Sequence, residues 1–446
     1  MIDTVTTLIE QRRLGELAAL LRDRHASDVV DLLRQLGRPE RALVFRLLPR
    51  PLAVDVLSSL DAGERDALLK DLTDEETRQL LAGLSPDDRT YILEELPGPV
   101  VQRMLNLLGP EDLREARQLL GYPEDSVGRL MTPDYVALRP EWTVAEALEH
   151  VRARGRESET IDVLYVVDEG WRLLGTVGLR HLILAPRDAR IGDLMQPPVA
   201  TLPPTADRED AVRLMSRYDL FALPVVDRDG VLLGIVTVDD VLDVAVEEAT
   251  EDFHRIAAVA PLDTSYRDAA PWSLYRKRVG WLIALVAANL VSSSVVAVYE
   301  ETLAAAVALA FFIPLLIATG GNVGTQSAAM LVRALATGDV LPTDWRRALA
   351  KELVVGLALG GTLGAAGSML GMLRGGVDMG IVVGISMFLI VVVSNALGVT
   401  LPLMLVRWRL DPAVASSPMI TSIADSVGLA IYFAVATAIL WNAGAG

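Results

Sequence analysis

The chain has 446 residues, of which 52% are hydrophobic, and its formal net charge at neutral pH is −17. Residues 1–275 carry a net charge of −19 and residues 276–446 a net charge of +2. The acidic part argues against a nucleic-acid partner and favours a cationic one. The lack of cysteine excludes disulfides and thiolate metal sites. The first residues have no apolar core behind a basic region, so we expect no signal peptide and a cytoplasmic N-terminal domain.

Leucine recurs every twelve residues in the first part of the chain. The series is Leu36, Leu48, Leu60, Leu72, Leu84, Leu96, Leu108 and Leu120. Helix-start patterns follow several of these leucines, at residues 61–64, 73–76 and 85–88. Because short helices need neighbours to bury their leucines, the pattern predicts an α-helical superhelix over residues 1–124. Capping alone explains acids at helix starts, so the sequence does not decide which of them bind a cation.

An internal duplication follows. LMTP at 130–133 is repeated as LMQP at 194–197, and LYVVD at 164–168 as LPVVD at 223–227. The region resembles a tandem pair of α/β CBS domains, over residues 125–190 and 191–247. Such pairs bind adenine nucleotides, with an acid on the ribose. The second copy has Thr237 and Asp240 in the matching segment, whereas the first has His181 at the acid position. The resemblance therefore makes ATP a hypothesis, with these three residues as candidates.

An acidic segment joins the duplication to the rest of the chain. Glu248, Glu251 and Asp252 fall on one face if residues 248–275 form a connecting helix. A solvated linker helix explains this face. A divalent-cation site shared with another acidic surface also explains it, because carboxylate oxygens suit Mg²⁺ and Ca²⁺. Both interpretations stay open at this point.

The last part of the chain reads as an all-α membrane domain over residues 276–446. Five apolar runs predict spans at about 279–298, 303–335, 353–373, 381–406 and 418–441. Their basic flanks lie on one side of the membrane: Arg276, Lys277, Arg278, Arg333, Arg346, Arg347, Lys351, Arg407 and Arg409. The positive-inside rule then places the N-terminus in the cytoplasm and the C-terminus outside.

Asp425 lies inside the last apolar run. A carboxylate at membrane depth is costly and usually faces a bundle interior or an ion path, although a hydrogen bond to a neighbouring helix is the structural alternative. Ser417 and Thr421 precede it on the same helical face. We also predict an opened helix at residues 320–322, with Asn322 and exposed carbonyls lining a cavity. This all-oxygen set favours a hard divalent cation.

The domain order and several motifs resemble the MgtE family of magnesium transporters. The matching segments lie at residues 248–252, 299–314, 319–327, 333–339 and 418–432. The resemblance implies a homodimer in the cytoplasmic (inner) membrane, a Mg²⁺ filter formed by Asp425 of each subunit, and Glu300 near the outer mouth. It also implies closure by cytosolic Mg²⁺ at acidic surfaces. The candidate regulatory ligands are Asp88, Glu209, Asp219, Asp240, Asp243, Glu248, Glu251 and Asp252.

Three other functions compete with a magnesium channel. A CBS-regulated carrier of Mn²⁺ or Co²⁺ would use the same oxygen ligands. An intramembrane enzyme would need a second catalytic group at the depth of Asp425, and the predicted spans contain no other carboxylate. A membrane-anchored nucleotide sensor would not need Asp425 for cation flux. We expect a transporter that is not an enzyme.

Overall fold

The computed structural model describes residues 1–96, 98–262, 266, 269–408, 410–415 and 417–443. Arg409, one of the basic residues used for orientation, lies outside them. Residues 1–247 belong to one compact unit, and Glu248–Leu262 with the chain from Ala269 onward belong to a second.

Short helices pack in an alternating order in the N-terminal part of the first unit. They are α1 (Ile2–Glu10), α2 (Leu14–Arg22), α3 (Ala26–Gln35), α4 (Arg38–Arg46), α5 (Arg50–Ser58), α6 (Ala62–Asp71), α7 (Asp74–Leu81), α8 (Pro86–Glu95), α9 (Gly98–Leu107) and α10 (Pro110–Leu119). Helix α5 packs against α3 and α7, and α4 packs against α6. The periodic leucines from Leu36 to Leu96 are buried in the shared core. The short helices thus share an apolar core that no single helix could form.

Ion pairs about thirty residues apart connect these helices. Arg46 Nε lies 2.9 Å from Glu76 Oε1, and Arg65 Nη1 lies 2.7 Å from Glu95 Oε2. Arg65 is 1% exposed and also donates to the carbonyls of Leu57 and Leu60. A buried guanidinium is tolerated because these acceptors satisfy it.

The predicted helix-start patterns form in different ways. Thr73 and Glu76 make a reciprocal capping box. Asp61 instead accepts from Arg34 Nη2 at 3.1 Å, and Glu64 also pairs with Arg34. The acids of residues 61–64 therefore connect helices rather than cap one.

The duplicated region repeats a strand pair with the same irregularity. Its elements are α11 (Val127–Leu130), β1 (Ala137–Leu138), α12 (Val144–Arg154), β2 (Val163–Val167), β3 (Leu173–Gly178), α13 (Leu179–Leu184), α14 (Ile191–Leu194), α15 (Arg208–Tyr218), β4 (Ala222–Val226) and β5 (Leu232–Thr237). Strand β2 pairs antiparallel with β3 and parallel with β1, and β4 pairs antiparallel with β5. The register shifts at Val166/Val167 and again at Val225/Val226.

The connecting helix has other bounds than the sequence indicates. Helix α16 runs Val238–Ile256, so it begins directly after β5 and ends well before residue 275. Its apolar residues Val241 and Val244 are buried. The helix therefore starts ten residues before the predicted boundary because its first turns pack against the duplicated region.

Four helices among the described residues are long and apolar enough to cross a membrane. The helices of this region are α17 (Pro271–Val298), α18 (Glu300–Ala305), α19 (Ile313–Ala336), α20 (Trp345–Arg407) and α21 (Ser417–Ala443), and a 3₁₀ segment (Val307–Phe312) precedes α19. Helix α20 is interrupted at Gly376, which has φ 79° and ψ −170°. This backbone geometry is open to glycine and strained for other residues.

The two arms of α20 fold back on each other at Gly376. Gly371 closely approaches Gly380, Gly364 approaches Gly384 and Phe388, and Gly356 approaches Asn395. The residue numbers rise on one arm as they fall on the other, which defines an antiparallel helical hairpin.

The predicted opening at residues 320–322 is wrong. Helix α19 is continuous through Gly320, Gly321 and Asn322. A Cβ at Gly321 would lie 2.9 Å from Thr421 Cγ2, so this glycine allows α19 and α21 to pack closely. The irregular backbone lies earlier, at Ala306 and the 3₁₀ segment before Pro314.

Candidate functional site

Asp425 lies in α21 with a carboxylate oxygen that the rest of the described chain does not satisfy. Its Oδ1 is buried and has no hydrogen-bond partner among the described residues. Thr421, one turn earlier, donates to the Ser417 carbonyl at 2.8 Å, and all three side chains are half-buried. Ser417, Thr421 and Asp425 therefore share one face of a continuous helix, and one buried carboxylate oxygen on that face has no hydrogen-bond partner in the described chain.

Helix α19 does not bring Asn322 to this face. Gly321 contacts Thr421, and Thr325 Oγ1 lies 3.5 Å from Thr421 Oγ1. Asn322 and Gln326 are exposed on a different side of α19, because successive residues on a helix are rotated by about 100°. Within one chain, the structure thus separates Asn322 from the Asp425 face.

Glu300 lies far along the membrane region from Asp425. It is exposed at the start of α18. The hydroxyls of Thr302 and Thr437 share a hydrogen bond of 3.3 Å, which places α18 beside the C-terminal part of α21. Thr437 lies about 18 Å along the helix from Asp425 at 1.5 Å per residue. Glu300 is therefore a separate position on any ion path.

An acidic cavity of about 320 Å³ lies in the first unit, between the helical array and the duplicated region. Its lining residues are Ser58, Ser59, Asp87, Asp88, Tyr91, Glu94, Glu95, Asp125, Ser126, Arg129, Leu130, Arg208, Asp240, Asp243, Val244 and Glu247. Of the predicted regulatory residues, Asp88, Asp240 and Asp243 meet here.

Part of the cavity wall is neutralised by arginine. Glu94 pairs with Arg129 and Glu95 with Arg65. Glu247 pairs with Arg208 at 3.1 Å and accepts from the Tyr91 hydroxyl at 2.8 Å. These acids have structural partners within the chain.

Asp125 also pairs with Arg208, at 3.4 Å, and the four acids of the cavity that then remain form no ion pair among the described residues. They are Asp87, Asp88, Asp240 and Asp243. Asp87 is 6% exposed, and its Oδ1 is buried without a hydrogen-bond partner in the described chain. Burial first, and then the neighbouring carboxylates, raises the pKa of Asp87 and the pKa of Asp240. A bound cation would lower the pKa of both carboxyl groups, because it favours their charged forms.

Asp87 is a site residue that the sequence interpretation missed. It stands beside Asp88 in the first turn of α8, where acids are explained by the helix dipole. The sequence signal for Asp87 is its position next to a second carboxylate, that of Asp88. Only the packing of α8 against the duplicated region reveals that Asp87 is buried.

The other predicted regulatory acids lie elsewhere. Glu209 is exposed in the first turn of α15, and Asp219 is the exposed, left-handed C-cap of the same helix. Neither lines the cavity.

Glu248, Glu251 and Asp252 belong to the second unit. Glu251 pairs with Arg255, which also pairs with Asp411. Burial and the nearby Glu248 raise the pKa of Asp252. Sequence interpretation missed Arg255 and Asp411, because their 156-residue separation gives no local signal.

The nucleotide candidates do not meet in one pocket wall. Thr237 Oγ1 donates to Asp240 Oδ2 at 2.9 Å, and Asp240 lines the acidic cavity. His181 is exposed on α13 of the first copy. The acid expected on a ribose is thus already part of the anionic cluster.

The acids of the cavity do not form a metal-binding cluster in the part of the chain that the structure describes. Among the described residues, no three His, Cys, Asp or Glu side chains are close enough to hold a bare metal ion. Mg²⁺ keeps several waters and binds through one or two carboxylates.

Comparisons with known proteins cover nearly all of the chain. Residues 313–435 match the divalent cation transporter model MgtE, residues 24–125 the MgtE intracellular N domain, and residues 127–188 and 191–247 the CBS domain. The magnesium transporter MgtE of Thermus thermophilus is 42% identical over 97% of this chain and 98% of its own length. The Bacillus subtilis magnesium transporter MgtE is 36% identical over 72% of this chain and 71% of its own length.

Two solved structures resemble about half of the chain. A crystal structure of the cytosolic domain of the Mg²⁺ channel MgtE in complex with ATP has a TM-score of 0.53 and 39% identity, covering 55% of this chain and 100% of that one. The soluble part of a magnesium transporter has a TM-score of 0.52 and 28% identity, covering 56% and 98%. Together with the apolar helices, these likenesses define a membrane transporter rather than an enzyme. The chain belongs to the MgtE family of divalent cation transporters.

Proposed function

We propose that the protein transports Mg²⁺ across the cytoplasmic membrane through a pore formed by two copies of the chain. The buried, unsatisfied oxygen of Asp425 in α21 carries this proposal. In a homodimer the two Asp425 side chains face each other and hold hydrated Mg²⁺, with Thr421 and Ser417 on the same face. Glu300 lies towards the outer mouth of the pore. Asn322 is separated from Asp425 within one chain, so it contributes to the ion path only if the dimer brings the two residues together.

The homodimer is supported by α17. None of its residues, all of which are described, is buried, and it packs mainly against α21. Ser292 and Ser426 hydroxyls meet at 2.7 Å, so this exposed helix adjoins the residue after Asp425. A second copy would cover such a surface.

The proposed membrane topology has five crossings. The reversal of α20 at Gly376 supports counting its two arms separately. The basic flanks support an N-terminus in the cytoplasm and a C-terminus outside.

Regulation is proposed to use the unpaired acids. At low cytosolic Mg²⁺, Asp87, Asp88, Asp240 and Asp243 repel one another, and the pore opens. Two carboxylates about 6 Å apart repel by roughly 3 kcal/mol at an effective dielectric near 20, so Mg²⁺ in the cavity favours closure. Glu248, Glu251 and Asp252 on α16 are proposed as further ligands. Glu209 and Asp219 would need a surface outside this cavity.

The test of transport is Mg²⁺ uptake by liposomes that contain the purified protein. We expect uptake that 10 mM Mg²⁺ on the cytoplasmic side suppresses by roughly tenfold, as a gating bias of about 1.4 kcal/mol gives. Liposomes without protein are the control. If uptake does not depend on the protein, the transport proposal is contradicted and a membrane-anchored nucleotide sensor is favoured.

Competition distinguishes the other cations. Mn²⁺ or Co²⁺ uptake that excess Mg²⁺ does not inhibit would favour the alternative, a carrier of another divalent cation. Mg²⁺ uptake that persists in equimolar Mn²⁺ supports the magnesium pore.

ATP is proposed as a ligand of the CBS pair. The ATP complex of the similar cytosolic domain supports it, and the exposed His181 replaces an acid in the first copy. We expect His181→Asp to tighten ATP binding by roughly tenfold, because a carboxylate accepts hydrogen bonds from ribose hydroxyls. Titration of the full-length protein with labelled ATP measures this.

The matched control for that titration is His25→Asp. His25 caps α3, where aspartate is also a good cap. Wild-type and His181→Asp proteins that both fail to bind millimolar ATP contradict the nucleotide proposal.

A further inference from the structure

A polar network lies inside the membrane region, away from Asp425. The Asn395 amide donates to the Glu352 carbonyl at 2.6 Å and to Glu352 Oε2 at 3.1 Å, and its oxygen accepts from the Ser327 hydroxyl. Asn395 is 1% exposed. The network joins α19 to both arms of the α20 hairpin. Each polar group of the Asn395 amide is therefore satisfied, as a buried amide requires.

The same part of the second arm sets how closely α19 can pack. Ser394 and Gly398 lie against Gly320 and Gly324 of α19, and a Cβ at Gly398 would clash with the Gly324 carbonyl. One turn beyond Gly324 comes Ser327, which holds the hydrogen bond to Asn395. The Ser327–Asn395 hydrogen bond thus fixes the register between α19 and the second arm of α20, which pack too closely to slide past each other.

The adjacent side of α19 faces α21. Gly321 and Thr325 contact Thr421, and Gly324 approaches Ile420. Helix α19 therefore connects the network to the stretch of α21 that leads to Asp425, and α20 also packs directly against α21. A shift of α19 against α20 changes the support of the Asp425 face.

We infer that Asn395 is a positioning residue for cation permeation. It joins Ser327 to Glu352 and thereby fixes α19, which packs against Thr421 on the Asp425 face of α21. The inference rests on the proposed transport function. Glu352 acts here as a hydrogen-bond acceptor, through its carbonyl and side chain, and its negative charge is not required. A positioned ion site tolerates only small displacements.

The first experiment tests the geometry without transport. The chain has no cysteine, so Thr325→Cys with Thr421→Cys gives one defined pair, at positions whose hydroxyls are 3.5 Å apart. Oxidation of full-length protein in liposomes should form an intramolecular disulfide, measured as loss of maleimide labelling. Adding Asn395→Leu should slow this reaction, whereas adding Thr362→Val should not. Thr362 is exposed and bonds only within its own helix.

The second experiment measures permeation without the cysteines. Asn395→Leu should lower the Mg²⁺ uptake rate roughly 10- to 100-fold and bring the Mg²⁺/Mn²⁺ rate ratio closer to one, because misplacement by about 1 Å has effects of this size. Ser327→Ala, the milder variant, should shift the rate ratio in the same direction. Glu352→Gln keeps an acceptor and should stay within about twofold of wild type.

Three results overturn the inference. Unchanged selectivity in both Asn395→Leu and Ser327→Ala excludes a positioning role. A loss in Glu352→Gln as large as in Asn395→Leu shows that the Glu352 charge acts directly. If wild type does not transport Mg²⁺, the proposed function fails, and the positioning role fails with it even where the cross-linking result holds.

Discussion

Asp425→Ala is expected to lower Mg²⁺ uptake by roughly 100-fold. A divalent cation about 5 Å from a partly screened carboxylate is stabilised by roughly 3 kcal/mol, and each loss of about 1.4 kcal/mol weakens binding tenfold. Asp425→Asn should be nearly as severe, since it keeps the shape and removes the charge. Asp425→Glu should retain measurable uptake. Initial rates in liposomes, at matched protein density, measure all three.

The matched control is Asp378→Asn, an exposed acid just after the reversal of α20. Asp378→Asn should leave uptake unchanged, because Asp378 lies at the turn of the α20 hairpin and not on the Asp425 face of α21. Uptake that survives Asp425→Ala would remove this residue as the selectivity site and direct attention to Asn322 on α19.

Asp240→Asn is expected to stabilise the protein in Mg²⁺-free buffer. Both its burial and its neighbours raise the pKa of Asp240 above that of the unfolded chain. The folded state therefore binds more protons, and stability falls as pH rises from the unfolded pKa, about 4, through the folded pKa. Removing this penalty should raise Tm by about 2–4 °C for each kcal/mol. Thermal unfolding of full-length protein at pH 5 and pH 8 measures it, and the gain should be larger at pH 8.

The effect of Mg²⁺ on thermal stability distinguishes two roles of Asp240: a ligand of Mg²⁺, or an acid that only destabilises the fold because it is buried near other acids. Mg²⁺ should raise the wild-type Tm by linkage, and this increment should shrink in Asp240→Asn. The ratio of uptake without and with cytosolic Mg²⁺ should also decrease. Asp229→Asn is the control, since Asp229 is exposed in a turn of the same domain. A full Mg²⁺ increment in Asp240→Asn would exclude Asp240 as a ligand.

Several parts of the fold follow directly from local sequence. The twelve-residue leucine spacing corresponds to short helices with a common core, and Thr73 with Glu76 forms the capping box that its spacing indicates. The repeated segments form strand pairs with the same register shift. These features depend on residues close in the chain, whose periodicity is legible without a structure.

Local patterns were misleading where tertiary contacts decide. Gly320 and Gly321 suggested an opened helix, yet they allow α20 and α21 to approach a continuous α19. The boundary of α16 was misplaced because its first turns pack on the duplicated region. Glycine serves both broken and tightly packed helices, so its presence alone does not distinguish them.

The sequence by itself determined the family, the order of the domains and the placement of Asp425 in an apolar helix, because motifs and hydropathy are properties of adjacent residues. Only the tertiary structure decided which acids are compensated. Glu94, Glu95 and Glu247 have arginine partners, whereas Asp87, Asp88 and Asp240 line the same cavity and form no ion pair in the described part of the chain. An acid's effect depends on burial and on charges brought from distant segments, and those are set by packing rather than by position in the chain.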